Sequence, residues 1–363
     1  MLTSKFIIVA DPLLNEYGSC RPPILISKEL VVEGYEVEVL TLSVDASIRK
    51  RLESHGITVH TLRNTIPSAP YSLFWFKSWL TESFIPLNSK RFQNTDGIVV
   101  NFSNIINISS DFWYAQGPPT LTLDNIKSCL RWYYKFAYCI GRPLLKIIDK
   151  MNTRMFFMKT KKVVCNSGYL QKIYGQLGVK VDSVIYPPLD CDLFKPQTSN
   201  PAADYVVTYY GKETNLHVLK RLADAGIKIK IFGSKMNPSR VLKKHPNIEV
   251  LGAVSDSELI KLYSNALLTV YPFLDEPFGY VPVESMACGT PVLTFNRQGP
   301  GETVINGITG WLVDKDEDFI KLAVKIWKHG YSSSMRKTCR KRALFFDRRE
   351  IVKKWMELMK NSE

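Results

Sequence analysis

Residues 275–312 read DEPFGYVPVESMACGTPVLTFNRQGPGETVINGITGWL and contain two glutamates, Glu276 and Glu284, with seven residues between them. Pro277 and Gly279 follow the first glutamate closely, and neither residue type suits the interior of a helix. We therefore expect Glu276 to lie on a loop and Glu284 to lie on the helix that begins after it. The two carboxylates would then be held by different kinds of backbone.

The segments on either side of this loop predict a strand-loop-helix-strand order. The apolar run at 266–271 has the length and composition of a buried strand, and a second such run occupies 291–295. Pro282 suits the first turn of the helix between them, Gly289 suits its C-terminal cap, and Pro291 prevents the helix from continuing. Ligands of open parallel sheets bind outside the carboxyl ends of the strands, which is where this order places Glu276.

The combined pattern resembles the E-x7-E motif of the retaining family 4 glycosyltransferases, which have the GT-B fold. The resemblance is carried by E-P-F-G before the helix, by A-x-G-x-P-V after it, and by G-x-x-G-x-L-V at 307–313. It covers roughly the C-terminal half of the chain. It implies that Glu276 reaches the donor sugar near the reacting carbon and that Glu284 holds the ribose hydroxyls of the nucleotide.

The rest of the chain alternates strands and helices, which predicts parallel sheets. With the resemblance, this gives an α/β fold of the GT-B type, in which two doubly wound, Rossmann-like domains face a cleft. We expect an N-terminal acceptor-side domain at 1–195 and a nucleotide-sugar-binding domain at 196–342. The final helix, 343–363, is expected to cross back onto the first domain. Residues 65–95 are aromatic and predict irregular structure.

The resemblance also supplies further candidates for donor binding. The loop after the first strand holds Gly18 and Ser19, where the family has a glycine-rich turn whose backbone meets the diphosphate. Lys212 follows a strand at the position of a family basic residue on the diphosphate. Phe278, Gly279 and Tyr280 would offer N–H groups to sugar hydroxyls.

Two negative expectations accompany these candidates. The Asp-Cys-Asp triplet at 190–192 matches a metal motif of a different glycosyltransferase fold, but it lies in the predicted interdomain segment, so we expect no metal and no cofactor. Gln116 stands where many family members have a histidine that faces the acceptor. A histidine contact to the acceptor is therefore not expected here.

The net charge of +14 at neutral pH permits nucleic acid, an anionic membrane face or phosphorylated substrates as partners. No nucleic-acid-binding module is recognised in the sequence. The chain has seven cysteines without C-x-x-C pairing, which favours free thiols in a reducing cytoplasm. The apolar start of the chain predicts a first strand at 6–10 better than a signal peptide.

Residues 127–162 contain ten lysines or arginines, seven aromatic residues and a single acid, Asp149. From 144 onwards the apolar residues recur at helical spacing. This pattern fits contact with an anionic membrane surface, binding of single-stranded nucleic acid, or a core helix with a solvated basic face. For the first part of the stretch we favour membrane or acceptor-side contact, through Lys127, Arg131, Trp132 and Lys135.

The sequence thus predicts a retaining, metal-independent glycosyltransferase that uses a UDP- or GDP-linked sugar. Its acceptor would be a glycan, in the favoured interpretation one linked to polyprenyl phosphate, and nucleic acid is not an expected partner. The enzyme would be cytoplasmic and peripherally associated with the membrane. The alternative is a soluble glucosyltransferase of the same fold that acts on a soluble sugar or glucan.

Overall fold

The computed structural model describes residues 5–16, 18–62, 71–84, 97–127, 132–211, 213–233 and 240–361. The chain divides into two structural units. The first comprises Met1–Thr122, Phe136–Pro188 and Arg348–Glu363, and the second comprises Leu123–Lys135 and Leu189–Asp347. None of the helices in the described ranges combines the length and apolar character needed to cross a bilayer.

The first unit is built on a parallel sheet of seven strands. In chain order the strands are β1 (Lys5–Ala10), β2 (Glu36–Thr41), β3 (Thr58–Thr61), β4 (Ile98–Asn101), β5 (Ser110–Ala115), β6 (Thr160–Cys165) and β7 (Ser183–Val184). Their order in the sheet is β3-β2-β1-β4-β5-β6-β7. The sheet reverses direction of growth between β1 and β4, which is the topological switch point of a doubly wound fold.

The helices that accompany this sheet follow the predicted alternation. They are α1 (Arg21–Val32), α2 (Ala46–Glu53), α3 (Tyr71–Phe84), α4 (Pro119–Ile126), α5 (Trp132–Lys159), α6 (Gly168–Gln176) and, at the end of the chain, α14 (Arg348–Lys360). Trp355 of α14 is fully buried and contacts the rings of Phe102, Phe112 and Tyr114. The last helix therefore contributes to the core of the first unit.

The second unit contains a parallel sheet of six strands. The strands are β8 (Val206–Tyr209), β9 (Ile229–Phe232), β10 (Ile248–Gly252), β11 (Leu268–Tyr271), β12 (Val292–Phe295) and β13 (Gly310–Val313). They lie in the order β10-β9-β8-β11-β12-β13, so the switch point of this sheet falls between β8 and β11. Two parallel-sheet α/β units confirm the predicted fold class.

The helices of the second unit begin and end close to the predicted positions. They are α7 (Leu216–Asp224), α8 (Arg240–Lys243), α9 (Asp256–Asn265), α10 (Tyr280–Ala287), α11 (Pro300–Thr303), α12 (Asp316–His329) and α13 (Ser334–Ala343). Helix α9 begins with a capping box: Ser255 accepts a hydrogen bond from the backbone of Glu258, and the Glu258 carboxylate accepts one from the Ser255 backbone. Gly289 has a φ of +83° directly after α10, as expected of a C-terminal cap.

Two parts of the sequence interpretation need correction. Residues 71–84, expected to be irregular, form helix α3, because aromatic residues are tolerated in helices that pack onto a core, and Trp79 is fully buried. The basic stretch forms one helix, α5, of 28 residues that continues through Pro143. The apolar line expected from Leu144 onwards is also divided, since Ile148 is buried whereas Leu144 is 61% exposed.

Candidate functional site

The loop that carries Glu276 lies at the switch point of the second sheet. It follows β11, and β11 pairs in parallel with β8 on one side and β12 on the other. The carboxyl ends of these three strands therefore meet at one edge of the sheet, which is the position where doubly wound folds bind ligands. The loops after β8 and β12 lie beside the Glu276 loop for the same reason.

The side chain and the backbone of Glu276 are both fixed by hydrogen bonds. Tyr271 Oη donates to Glu276 Oε2 at 2.5 Å, and the Gly279 N–H donates to Oε1 at 3.1 Å. The Glu276 N–H donates to Gln298 Oε1 at 2.6 Å, and its carbonyl accepts from the Gly299 N–H at 3.1 Å. Side chain and backbone together are thus held by β11, by the start of α10 and by the loop after β12.

Burial is the main influence on the charge of Glu276. It raises the pKa of this carboxyl from 4.5 to about 7, and the negative charges of Glu213 and Asp275 act in the same direction. The hydrogen bonds from Tyr271 and Gly279 oppose the increase because they stabilise the ionised form. A carboxyl whose pKa is close to neutral pH and which lies at a ligand-binding edge is a typical functional group.

Two glycines allow the loops around Glu276 to approach one another. A Cβ on Gly299 would lie 2.3 Å from the backbone of Phe278, so no larger residue fits between these loops. Gly279 caps α10 with a φ of +97°, and a Cβ there would lie 3.1 Å from Pro300 Cγ. The G-P-G and F-G elements of the motif are therefore required by backbone contact and by conformation.

Glu284 lies within α10, where the sequence places it, and it is buried. Its Oε2 accepts a hydrogen bond from Tyr263 Oη of α9 at 3.3 Å. One carboxylate is thus on a loop and the other on a helix of the same unit, as expected. The first has an elevated pKa, and the second is held by a tyrosine of the neighbouring helix.

The remaining donor-binding candidates of the second unit are Lys212, Phe278, Gly279 and Tyr280. Lys212 lies outside the described residues. The Gly279 N–H, expected to meet a sugar hydroxyl, is already donated to Glu276 in this structure. The Phe278 side chain is buried against Tyr280 and Phe346, which leaves the start of α10 well fixed.

In the first unit, Gly18 and Ser19 belong to a short 3-10 turn between β1 and α1. Gly18 has a φ of +56° and open space where a Cβ would stand. Gln116 donates from Nε2 to the Phe102 carbonyl at 2.7 Å and to the Ser19 carbonyl at 3.4 Å. In this structure the residue at the family's histidine position therefore joins the loops that follow β1, β4 and β5.

The last predicted sites are the acceptor-side residues and the Asp-Cys-Asp triplet at 190–192. Lys127, Trp132 and Lys135 are exposed, with Trp132 at 79%, and Arg131 lies outside the described residues. Asp190 Oδ1 accepts from the backbone N–H groups of Asp192 and Leu193, which is ordinary turn geometry. Within the described ranges, no group of three His, Cys, Asp or Glu side chains has a metal-binding arrangement.

Sequence reasoning missed the residues that surround Glu276. Tyr271, Gln298 and Glu213 were not singled out, although all three come from loops or strand ends at the same sheet edge. Tyr271 could have been found as the last residue of the predicted strand before the loop. Gln298 and Glu213 had no sequence signal, because their proximity depends on strand order.

Comparison with known proteins finds a family similarity in the second unit. Residues 206–344 match the family model of the glycosyl transferases, group 1. The matched segment contains both glutamates and nearly the whole six-stranded sheet. Over residues 206–344 the chain is therefore similar to the group 1 glycosyl transferases, the group to which the sequence pattern pointed.

Individual relatives match over shorter segments. The capsular polysaccharide biosynthesis glycosyltransferase CapM of Staphylococcus aureus is 33% identical over 151 residues, which are 37% of this chain and 39% of CapM. The alpha-1,3/1,6-mannosyltransferase alg-2 of Neurospora crassa is 45% identical over 78 residues, which are 21% of this chain and 17% of that protein. The matches thus span well under half the length of these two relatives.

A solved structure matches over the whole length. HepE of Anabaena in complex with UDP aligns with 98% of this chain and 100% of its own, with a TM-score of 0.66 and 17% identity. At this identity the likeness concerns the fold alone. It confirms that the architecture, with two parallel-sheet units, is GT-B.

Proposed function

We propose that this protein is a retaining glycosyltransferase that transfers a sugar from a nucleotide-sugar donor to a glycan acceptor at an anionic membrane surface. The observation that carries the proposal is the placement of Glu276 at the switch point of a sheet that lies within the group 1 match. HepE, which has the same fold, was crystallised with UDP, which supports a nucleotide-linked donor.

The chemistry proposed for Glu276 follows from charge development during transfer. When the bond between the anomeric carbon and the diphosphate oxygen breaks, positive charge grows on the sugar ring and negative charge on the departing phosphate. An ionised Glu276, fixed by Tyr271 and Gly279, would stabilise the ring without having to reorganise. The acceptor hydroxyl would bond to the same face of the carbon and give its proton to the departing phosphate oxygen, which completes transfer with retention. No metal takes part in this scheme.

The roles of the other donor-side residues follow from their positions. Glu284 would bind the ribose hydroxyls of the nucleotide, because carboxylate oxygens accept from vicinal hydroxyls and this residue lies on a well-packed helix. Lys212 and the backbone at Gly18 and Ser19 would neutralise the diphosphate. Phe278 and Tyr280 would donate backbone N–H groups to sugar hydroxyls. Gly279 would hold the Glu276 carboxylate in place, because its N–H donates to Glu276 Oε1.

The membrane part of the proposal rests on the exposed face of α5. Five apolar side chains fall within an arc of about 60° when the helix is drawn at 3.6 residues per turn. They are 38–73% exposed, and Trp132 and Phe136 extend the line towards the start of the helix. The five are Ile140, Leu144, Ile147, Met151 and Met158. We call these seven residues the apolar stripe.

The charged residues on α5 support contact between the apolar stripe and a lipid surface. Lys150 and Arg154 are exposed along one edge of the stripe, and Lys146 lies just beyond them. The single acid of the helix, Asp149, is buried on the opposite face, where it accepts hydrogen bonds from Thr120. An apolar face bordered by cations and free of acids fits a membrane with anionic headgroups.

A lipid-linked glycan is the acceptor that this geometry favours, because a membrane-bound enzyme meets such acceptors at its own surface. The test is to incubate the protein with radiolabelled UDP- and GDP-sugars and with either a polyprenyl-phosphate-linked glycan or a soluble glucan. We expect label in the lipid fraction with retained anomeric configuration. Transfer only to the soluble glucan would identify the soluble glucosyltransferase instead, and transfer to neither would contradict the proposal.

Vesicle sedimentation tests the membrane contact separately. Changing Lys146, Lys150 and Arg154 to Gln removes three charges, each worth about 1 kcal/mol near an anionic surface, so partitioning should fall roughly 100-fold at low salt. Replacing Lys243, Lys244 and Lys337 in the same way is the matched control. Changing Ile140, Leu144 and Ile147 to Ser should weaken binding at every salt concentration. If the unaltered protein does not sediment with anionic vesicles, the membrane contact is wrong.

A further inference from the structure

The loop after β8 is joined directly to the loop that carries Glu276. The Leu274 N–H donates to the Glu213 carbonyl at 2.6 Å, and the Asn215 N–H donates to the Pro272 carbonyl at 2.6 Å. A backbone bridge between Thr214 and Phe273 lies between these two bonds. Glu213 therefore keeps a fixed position relative to Glu276.

Polar atoms are enclosed at the base of the β8 loop. Tyr209 Oη and Glu213 Oε2 are both buried, and the Glu213 carboxylate interacts with the Tyr209 hydroxyl. A Cβ on Gly211 would lie 2.7 Å from the first atom and 2.8 Å from the second, so only glycine leaves room for them. Burying a carboxylate costs free energy, so its enclosure at this edge of the sheet calls for an explanation.

We propose that Glu213 is a positioning residue that controls whether Glu276 carries a proton, and that it thereby sets the pH at which the donor is turned over. This inference rests on the proposed function of Glu276. Burial of Glu213 has a functional consequence, because its negative charge acts on the Glu276 carboxyl nearby. The bonds between the two loops keep that charge at a constant distance.

The groups that face Glu276 come from several elements. Tyr271 of β11 and the N-terminus of α10 stabilise its anion, whereas Glu213 and the neighbouring Asp275 destabilise it. Tyr209 of β8 is neutral, since burial and the nearby carboxylates of Glu213 and Glu276 raise its pKa.

A cation in the neighbouring loop, Arg297, already makes other contacts. The Arg297 guanidinium, in the loop after β12, donates to the Phe273 carbonyl at 2.9 Å and lies over the rings of Phe273 and Phe295. It is not among the charges that determine the pKa of Glu276. Of the charged residues that act on the Glu276 carboxyl, Glu213 has the largest effect, ahead of Asp275.

The negative charge of Glu213 determines the direction in which the pKa of Glu276 moves. A negative group near Glu276 makes a second negative charge unfavourable and raises the pKa of Glu276. Removing the charge at Glu213 lowers that pKa, so Glu276 ionises, and the enzyme becomes active, at lower pH. A residue with a purely structural role would change the rate without moving the pH at which it falls.

The test compares Glu213→Gln, which removes the charge, with Glu213→Asp, which keeps it. Glu249→Gln serves as the control. Glu249 lies on the edge strand β10 and forms an ion pair at the surface with Lys230 of β9, so this variant also removes one negative charge. The acid limb of kcat/KM should move down by about one pH unit in Glu213→Gln. It should stay in place in Glu213→Asp and Glu249→Gln. An unmoved limb in Glu213→Gln, or an equal movement in Glu213→Asp, would overturn the inference.

A second measurement does not depend on turnover. Glutamate labelled with 13C at the carboxyl carbon allows direct titration of Glu276, with the signal assigned by its loss in Glu276→Gln. The titration midpoint should fall in Glu213→Gln and not in the control. If the midpoint falls but no sugar is transferred, the control of the proton by Glu213 stands and the proposed function fails. If sugar is transferred but the midpoint does not move, the inference fails alone.

Discussion

Replacing Glu276 by Gln should stabilise the protein at alkaline pH while it abolishes activity. In the folded protein the carboxyl has a pKa of about 7 instead of 4.5. Between these two values the folded state binds more protons than the unfolded state, so stability decreases as the pH rises through this range. The destabilisation is absent below about pH 4.5 and complete above about pH 7. Gln carries no charge and does not experience this loss.

The size of the effect follows from the two pKa values. The gap of about 2.5 between them corresponds to about 3 kcal/mol of destabilisation at high pH, as an upper bound. Integrated between pH 5 and pH 8.5, the change is about 2.5 kcal/mol. For a unit of this size that corresponds to about 5–10 °C in Tm. Hydrogen bonds that Gln makes less well add a cost that does not depend on pH.

Thermal unfolding of both proteins at pH 5 and pH 8.5 measures the effect. From pH 5 to pH 8.5, the Tm of Glu276→Gln should rise by about 5–10 °C relative to the Tm of the unaltered protein. Glu249→Gln, at an exposed position, should show no such trend. If the difference is the same at both pH values, Glu276 does not have an elevated pKa and the argument about its charge is refuted.

The remaining predictions concern residues around the same loop. Tyr271→Phe removes the 2.5 Å hydrogen bond to the Glu276 anion, so the acid limb of kcat/KM should move up by about one pH unit. Gly279→Ala forces a side chain onto a φ of +97° and against Pro300, which should cost about 1–3 kcal/mol by denaturant titration and lower kcat. Ser255→Ala breaks the capping box of α9 and should cost about 1 kcal/mol of unfolding free energy while transfer remains unchanged.

The alternation of strands and helices could be predicted because each buried strand is a short apolar run between turn residues. The runs at β1, β8 and β11 are nearly all apolar, as expected of strands covered on both faces. Local chemistry also identified the end of α10 at Gly289. These signals depend only on residues close together in the chain.

The surroundings of Glu276 could not be predicted in the same way. Gln298 and Glu213 reach it only because β8, β11 and β12 are neighbours in the sheet, and strand order is not visible in the alternation. The full length of helix α5 was also not predicted, since the helical spacing was recognised only from 144 onwards. Pro143 is exposed on a 28-residue helix, where packing of the opposite face stabilises the continuous form.

The most direct test of the central claim is calorimetric binding of UDP and GDP to the unaltered protein, to Glu284→Gln and to Glu276→Gln. Glu284 is proposed to hold the ribose, so its variant should bind the nucleotide at least about tenfold more weakly, as expected for lost hydrogen bonds to a charged group. Glu276 is proposed to act on the sugar, which these nucleotides lack, so its variant should bind them as the unaltered protein does. Failure of the unaltered protein to bind either nucleotide, or an equal loss in both variants, would contradict the proposed roles of the two glutamates.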